Sequence, residues 1–249
     1  MNRYLNYLKN RLRGYFNTPV FLVSYFRDYI LFKKNLQEGR GFYMGLKNLF
    51  PCLGDKTEKM SSDLHYVYHP AWAARILAIN KPDFHVDVSS ILYFPAIVSA
   101  FIPVKYYEFR KLDISLDNLI SGQADLQALP FQDKSIKSIS CMHTVEHIGL
   151  GRYGDAIDPN GDLKAIKELK RVLAIGGSLL FVVPIGKPRI YFNAHRVYSY
   201  DQIMNYFSGL TLKEFTLIPK NGKLIYNVAK ELADKEDYGC GCFWFIRNN

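Results

Sequence analysis

Cysteine is scarce in this chain, which has only Cys52, Cys141, Cys240 and Cys242 among its 249 residues. So few and so widely scattered thiols exclude the disulfide framework on which small secreted domains depend. Cys240 and Cys242 form a C-x-C pair rather than the C-x-x-C of a zinc knuckle, and no second pair completes it. We therefore predict four reduced thiols in a cytoplasmic protein, and no metal site.

Long apolar runs are also missing. The most apolar stretch, from Pro19 to Phe26, ends at Arg27-Asp28 and is far shorter than the ~20 residues that a membrane-spanning helix needs. It lacks a small-residue cleavage site, so no signal peptide is predicted. No G-x-G-x-x-G follows a predicted strand, which places Rossmann oxidoreductases and sugar-nucleotide enzymes last among the alternatives. No recognisable nucleic-acid motif is present either, so no nucleic-acid partner is expected.

Positive charge and aromatic side chains are what the sequence has in excess. The net charge is +9 and 15% of the residues are aromatic. Most of the excess charge lies in the first forty residues, interleaved with Tyr and Phe. We predict a basic, aromatic helical extension over residues 1–45 and a main domain over residues 46–249. Two interpretations of the extension stay open: a lid packed on the main domain, or a helix that meets an anionic membrane surface or a phosphate-bearing substrate.

From about residue 60, strand-like and helix-like segments alternate, which is typical of an α/β domain with a mainly parallel sheet. The predicted strands are residues 84–88, 104–109, 119–124, 136–142, 178–183, 212–218 and 242–246. The predicted helices are 71–80, 91–101, a helix from its N-cap Asp162 to Gly176-Gly177, and 199–207. This order predicts a Rossmann-like class I methyltransferase sheet of seven strands, with helices on both faces and the last strand inserted antiparallel.

Acidic residues follow the first three predicted strands at the positions where such a fold binds its cofactor. Ligands of open α/β sheets lie across the carboxyl ends of the strands, where the strand order reverses. Glu108, ending the second strand, can accept hydrogen bonds from ribose hydroxyls, and Asp125, after the third, from an adenine amino group. We predict an S-adenosylmethionine site at this edge of the sheet. Its predicted residues are His69, Asp87, Ser89, Glu108, Asp125 and Met142.

The loop after the first strand departs from the usual pattern. Methyltransferases commonly have D-x-G-x-G here, whereas this chain has D-V-S-S-I. Ser89 is small but lacks the freedom of glycine at positive φ. The sequence leaves open whether the cofactor is reached differently or bound more weakly.

Five stretches resemble a known family: LHYVYHPAWAAR, VDVSS, HTVEHIGLGRYGDAIDPNGD, ELKRVLAIGGSLLFVVPIG and FNAHRVYS. They are similar to the bacterial methyltransferase-like proteins grouped as domain of unknown function 268, from roughly residue 45 to the C-terminus. The resemblance implies a methyltransferase fold with an S-adenosylmethionine site. By association with enzymes of surface polysaccharide assembly, it also implies a sugar or glycan-linked acceptor. The family usually has glycine where this chain has Ser89.

His143, Glu146 and His147 form H-x-x-E-H, which also matches an inverted zinc-protease motif. That motif requires a helix, and here the residues follow a buried strand and lead into a glycine-rich loop, so we reject it. Because histidine is a suitable general base near neutral pH, we predict His143, His147 and His195 as candidate bases for O-methylation. The residues predicted to contact the acceptor are Glu146, Arg152, Tyr153, Asp155, Asn193 and Arg196. For Asp155, Asp158 and Asp162 we prefer an interpretation as turn and cap residues to the alternative of a divalent-ion site.

A rival hypothesis of another class is a catalytically silent, methyltransferase-shaped scaffold at the inner surface of the membrane. Ser89 in the glycine position and the basic N-terminal segment favour it. The enzyme hypothesis expects a small-molecule or glycan-linked substrate. The oligomeric state is not predicted.

Overall fold

The computed structural model describes residues 19–35, 45–52, 63–110, 112–220 and 222–248. The chain divides into two units, Met1–Ser62 and Asp63–Asn249. In the first unit a helix, α1, spans residues 19–34, and a single 3-10 turn spans Leu46–Asn48. The remainder of the predicted extension, residues 1–18 and 36–44, lies outside the described residues, and its boundary at residue 45 stays a prediction. Among the helices described, none is long and apolar enough to cross a membrane.

The second unit is built on a seven-stranded sheet. Its strands are β1 His85–Asp87, β2 Val104–Glu108, β3 Leu119–Gln123, β4 Ile136–Met142, β5 Leu173–Ile185, β8 Thr211–Ile218 and β9 Gly239–Ile246. Their order is β3-β2-β1-β4-β5-β9-β8, and β9 runs antiparallel to both of its neighbours. The other neighbouring strands pair in parallel. This arrangement confirms the predicted sheet and places the reversal of strand order between β1 and β4.

Helices cover both faces of the sheet, as predicted. They are α2 Leu64–Asn80, α3 Tyr93–Val98, α4 Gly161–Val172, α5 Tyr200–Tyr206 and α6 Lys230–Asp234. Alternate side chains of β5 enter two separate apolar clusters: Phe181 packs with α4 and α5, whereas Leu180 packs with α2 and α3. Because successive side chains of a strand point to opposite faces, a continuous apolar run such as β5 indicates a strand buried on both sides.

Several boundaries differ from the sequence predictions, and the differences at α2, α4 and β5 bear most on the fold. Helix α2 begins at Leu64, before Pro70, because the Asp63 side chain accepts a hydrogen bond from the backbone N–H of His65 and caps it. Helix α4 begins after Asn160, so Asp162 is not its N-cap; the Asp162 carboxylate lies in the first turn and accepts a hydrogen bond from the Tyr198 hydroxyl at 2.9 Å. Strand β5 begins where α4 ends, at Leu173 rather than Ser178.

A small hairpin was missed entirely. Strands β6, Arg189–Tyr191, and β7, His195–Val197, pair antiparallel and form a separate two-stranded sheet. Three-residue strands are too short to show the alternation of apolar and polar residues that identifies a strand. The hairpin follows β5 and places the N-A-H-R segment near the loop that follows β4.

Candidate functional site

A cavity of about 360 Å³ lies at the carboxyl ends of β1, β2, β3 and β4, within the second unit. Its volume is in the range of small-molecule sites, which are mostly apolar with a few placed polar groups. The lining residues come from four loops and from α2. They are Tyr66, Val88–Ile91, Tyr107–Arg110, Ala124–Gln127, Leu129, Thr144, His147, Ile148, Tyr153 and Asp155.

Two carboxylates line this cavity at the ends of adjacent parallel strands. Glu108 ends β2, which pairs in parallel with β3 through Gln123, two residues before Asp125. The Glu108 side chain is 19% exposed, and its Oε1 lies 3.9 Å from Nε of Arg110. Asp125 Oδ1 accepts a hydrogen bond from the backbone N–H of Gln127 at 2.8 Å, which fixes its orientation. Both carboxylates therefore keep acceptor capacity on the cavity side.

The serine loop after β1 turns one hydroxyl inward. Ser89 is 1% exposed; its Oγ donates to Asp87 Oδ1 at 2.6 Å and accepts from the backbone N–H of Met142 at 2.9 Å. Ser89 and Ser90 are not among the described non-glycine residues with positive φ. The loop therefore does not adopt the positive-φ conformation that requires glycine. The Ser89 hydroxyl links the ends of β1 and β4 through its bonds to Asp87 and Met142.

Asp87 lies beneath the cavity instead of lining it, contrary to its predicted cofactor contact. It is fully buried, and its Oδ1 also accepts a hydrogen bond from Ser140 Oγ at 2.5 Å. Ser140 in turn contacts His85 Nε2 at 2.8 Å. Burial raises the pKa of Asp87 to about 7, although the hydrogen bonds from Ser140 and Ser89 favour its charged form. The carboxylate thus organises the strand ends that carry the loop.

His147 is the one of the three predicted bases that lines the cavity. Its Nδ1 donates a hydrogen bond to the Ala194 carbonyl at 2.6 Å, because a carbonyl oxygen can only accept. The neutral ring therefore keeps the lone pair on Nε2, as a general base requires. The ring also makes an edge contact with Tyr153, with centroids 5.7 Å apart.

Tyr153 and Asp155 belong to the glycine-rich loop and line the cavity, as predicted. The guanidinium groups of Arg110 and Arg152 both lie 5.0 Å from the centre of the Tyr153 ring. Asp155 accepts hydrogen bonds from the backbone N–H groups of residues 149, 151 and 153, which outweigh burial and lower its pKa. The interpretation of Asp155 as a turn residue is confirmed, and its contact with an acceptor stays a prediction.

Four other predicted residues lie under the cavity and do not line it. His69 and Met142 are fully buried, His143 is 4% exposed and Glu146 is 1% exposed. Glu146 Oε1 accepts a hydrogen bond from His143 Nδ1 at 2.8 Å. Burial would raise the pKa of Glu146, but this hydrogen bond and the charge of His143 lower it. Direct contact of these side chains with cofactor or acceptor is therefore corrected to a position in the layer beneath.

The predicted residues on and around the hairpin also lie outside the cavity lining. Arg196 is 5% exposed, and its guanidinium donates to the carbonyl of Ile148 at 2.6 Å and lies 3.5 Å from Asp162. These internal partners argue against the predicted role in binding an acceptor anion. Asn193 is exposed. His195 packs against Tyr191 and Tyr238, with ring centroids 5.3 and 5.5 Å away.

Several cavity residues were missed by the sequence analysis, among them Tyr66, Tyr107, Phe109, Arg110, Gln127 and Thr144. Five of them neighbour predicted strand ends, so a rule that takes the residues on each side of a strand end would have included them. Tyr66 is different because it comes from α2, and the sequence has no signal for its position. Burial raises the pKa of its hydroxyl far above the usual range.

The model of a family described as "Caenorhabditis protein of unknown function, DUF268" matches residues 127–218. This stretch contains three of the five motifs on which the predicted resemblance rests, and the match supports that resemblance. The prediction of a bacterial family gains no support, because the description names Caenorhabditis. No curated protein is similar enough in sequence to count as a relative.

Solved structures share the fold at very low sequence identity. The chain is similar to the 1,6-didemethyltoxoflavin-N1-methyltransferase of Burkholderia thailandensis, solved with 1,6-didemethyltoxoflavin and S-adenosylhomocysteine, with a TM-score of 0.53 and 8% identity over 78% of this chain and 93% of that one. It is also similar to the [4+2]-cyclase SpnF, with a TM-score of 0.50 and 12% identity over 72% and 81%. The chain has the class I methyltransferase fold. Since one of these neighbours is described as a cyclase, the fold by itself does not decide the activity.

Proposed function

We propose that the chain is an S-adenosylmethionine-dependent methyltransferase. The observation that carries the proposal is the pairing of Glu108 and Asp125 on one cavity at the point of strand reversal, beside the Ser89-Ser90 loop. In this proposal Glu108 accepts hydrogen bonds from the ribose hydroxyls, and Asp125 accepts from the adenine amino group. The adenosine half of the cofactor would then be fixed by one group at the end of β2 and one just after the adjacent β3.

The proposed chemistry is transfer to a hydroxyl group. The bound cofactor supplies a sulfonium methyl group, and the chain's contribution is positioning together with removal of the acceptor's proton. His147 is the proposed base: with Nδ1–H held by Ala194, its Nε2 receives the proton. Tyr153, whose ring contacts His147 and lies 5.0 Å from each of two guanidinium groups, would order the acceptor side of the cavity.

For the acceptor we propose a sugar or glycan-linked hydroxyl compound in surface polysaccharide synthesis, with the protein acting in the cytoplasm. The family resemblance supports this narrower proposal, and Arg110 offers a cationic group in the cavity lining for a phosphate-bearing sugar. Arg152, predicted to contact the acceptor, does not line the cavity; its guanidinium lies beside the ring of Tyr153, which does. Release of S-adenosylhomocysteine in the presence of a panel of sugar nucleotides tests it. Release with other small hydroxyl compounds, but with no sugar nucleotide, would contradict the sugar class while keeping the methyltransferase.

A second candidate is a methyltransferase-shaped scaffold that contacts the membrane through its N-terminal segment. Exposed apolar side chains on α1, including Val23, Ile30 and Phe32, favour this candidate, since the helix also carries Arg27 and Lys33. Sedimentation of the full chain with anionic vesicles should fall at least several-fold on Val23→Asp combined with Ile30→Asp. Equal sedimentation of the two proteins would count against membrane contact through this helix.

Calorimetric titration with S-adenosylmethionine and S-adenosylhomocysteine tests the cofactor site. We expect Glu108→Gln to weaken binding by about tenfold or more, roughly the loss of one charge-assisted hydrogen-bond interaction. Glu231→Gln, at an exposed site on α6, is the matched control and should leave affinity unchanged. If the wild-type chain binds neither compound at millimolar concentration, the enzyme proposal fails and the scaffold gains weight.

The choice of base is tested by His147→Asn against His195→Asn. A missing general base lowers turnover by about 10²–10⁴-fold, whereas removal of a ring outside the cavity should change it little. Turnover is measured as release of S-adenosylhomocysteine with the best acceptor from the panel, and affinity for S-adenosylhomocysteine should stay unchanged in both variants. Equal losses in the two variants would refute the assignment to His147.

A further inference from the structure

A second group of chemically reactive side chains lies beneath the cavity and is not used by the proposed reaction. It consists of His69 on α2, His143 directly after β4 and Cys240 on β9, all buried. One ligand atom from each of them lies within 4.8 Å of the other two. His143 Nε2 is 3.4 Å from Cys240 Sγ, and Cys242 Sγ is 4.0 Å from Cys240 Sγ.

The hydrogen bonds around the two histidines orient both rings in the same way. His69 Nδ1 donates to the carbonyl of His65 at 2.6 Å, and His143 Nδ1 donates to Glu146 at 2.8 Å. Each ring is therefore held with its Nε2 turned away from these partners. A carbonyl or carboxylate on the far nitrogen is the arrangement that accompanies metal-binding histidines, since it fixes both ring and tautomer.

His69 Nε2 is a buried nitrogen without a hydrogen-bond partner among the residues that the structure describes. Leaving a buried polar atom unsatisfied is unfavourable, so such an atom calls for an explanation. Cys240 and His143 satisfy one another by a thiol–imidazole contact, which does not reach His69. A cation shared by the three side chains would use this nitrogen.

The distances within the group suit zinc. Zn–S bonds of ~2.3 Å and Zn–N bonds of ~2.0–2.1 Å at tetrahedral angles separate nitrogen from sulfur by about 3.6 Å, and two sulfurs by about 3.8 Å. The observed separations of 3.4 and 4.0 Å lie on either side of these values. The His69 ligand atom lies within 4.8 Å of the other two, so zinc binding at these bond lengths would bring it closer by roughly 1–1.5 Å at most.

We propose that His69 Nε2, His143 Nε2 and Cys240 Sγ bind one zinc ion, with Cys242 Sγ available as the fourth ligand. The cation takes the place of the one proton that Cys240 Sγ and His143 Nε2 share, and that proton is released to solvent. Because the ligands are buried and come from three separate elements, the site is structural and not catalytic. The ion would link α2 to β9 and to the end of β4. Helix α2 also carries Tyr66, which lines the cavity and whose ring stacks on that of His143 with centroids 5.2 Å apart.

His143 also has an unusual backbone conformation. Its φ is +52°, in the left-handed region that few non-glycine residues occupy. Such conformations are retained where the surroundings fix them, and here the turn directs the ring downward to Cys240 while Thr144 and His147 face the cavity. The unfavourable backbone conformation is therefore found at a residue that we propose as a zinc ligand.

Metal analysis of the full chain, purified without chelators or an immobilised-metal column, tests this proposal. We expect roughly one zinc per chain in the wild type and in Cys141→Ser, a buried thiol of β4 outside the group, and less than about 0.2 in Cys240→Ser. No zinc in folded wild-type protein, equal zinc in Cys240→Ser, or another metal in its place would overturn the proposal.

A second measurement covers the case in which Cys240→Ser fails to fold. Wild-type protein stripped with a chelator is titrated with Co²⁺, which gives an intense near-ultraviolet band when a thiolate binds it. We expect this band at about one equivalent and its displacement by zinc, with circular dichroism confirming that the chain is folded. A folded chain without a thiolate band would refute the site whatever the variant does.

Discussion

The cavity and the buried group beneath it are made from interleaved residues of one short segment. In H-T-V-E-H, Thr144 and His147 line the cavity, whereas His143 and Glu146 lie in the layer below. In the cavity, polar groups face open space and remain available to a ligand. In the lower layer, polar groups face one another and hold elements together. His143 and His147, two residues of the same type four positions apart, therefore have different roles because they lie on different sides of the turn.

The largest expected effect is on stability, from the lower layer. Glu146→Ala should reduce the free energy of unfolding by about 3–5 kcal/mol, since it leaves His143 buried without its charged partner. Urea unfolding measures the loss, and exposed Glu231→Ala should change it by less than about 0.5 kcal/mol. A change as small for Glu146 as for Glu231 would mean that the two layers do not differ as described.

The next effect concerns Asp87, which lies between the two layers. Its folded pKa of about 7 is above the ordinary value of 3.8, so its contribution to stability is complete below about pH 4 and is lost as pH rises through 7. The stability of wild type relative to Asp87→Asn should therefore fall by up to about 4 kcal/mol between about pH 4 and about pH 8. Urea unfolding across this range measures it. The control is Asp117→Asn at an exposed site, whose free energy of unfolding should vary with pH as that of the wild type does. If the free energy of Asp87→Asn also varied with pH as the wild type's does, Asp87 would not have a raised pKa.

A smaller effect is expected in the serine loop. Ser89→Ala removes the acceptor of the buried Met142 N–H and a donor to Asp87, which should cost about 1–3 kcal/mol of unfolding free energy. Ser90→Ala removes one longer bond, 3.2 Å, to the His143 carbonyl at the edge of the cavity and should cost less than half as much. Thermal or urea unfolding compares them. A larger loss of unfolding free energy for Ser90→Ala than for Ser89→Ala would mean that the stabilising hydroxyl is that of Ser90, on the cavity side.

Much of the cavity could be predicted because it is local in sequence. Glu108 and Asp125 were found from the positions of strand ends, which the apolar runs of β2 and β3 mark, and parallel strands bring those ends to one edge. Ser89 was found in the same way, but its inward orientation was not, since the choice between facing the cavity and facing Met142 depends on packing. Histidine spacing alone could not show which of His143, His147 and His195 reaches the cavity.

The sequence by itself determined the fold class, the order of the strands and the edge of the sheet at which a ligand would bind. Apolar periodicity and strand-end residues carry that information, because they reflect local backbone geometry and the burial of each strand. Only the tertiary structure decided that His69, His143 and Cys240 meet. They are 74 and 97 residues apart along the chain, on elements brought together by sheet order and by packing of α2. No local pattern encodes such a meeting, and so the C-x-C pair, taken alone, was interpreted as two ordinary thiols.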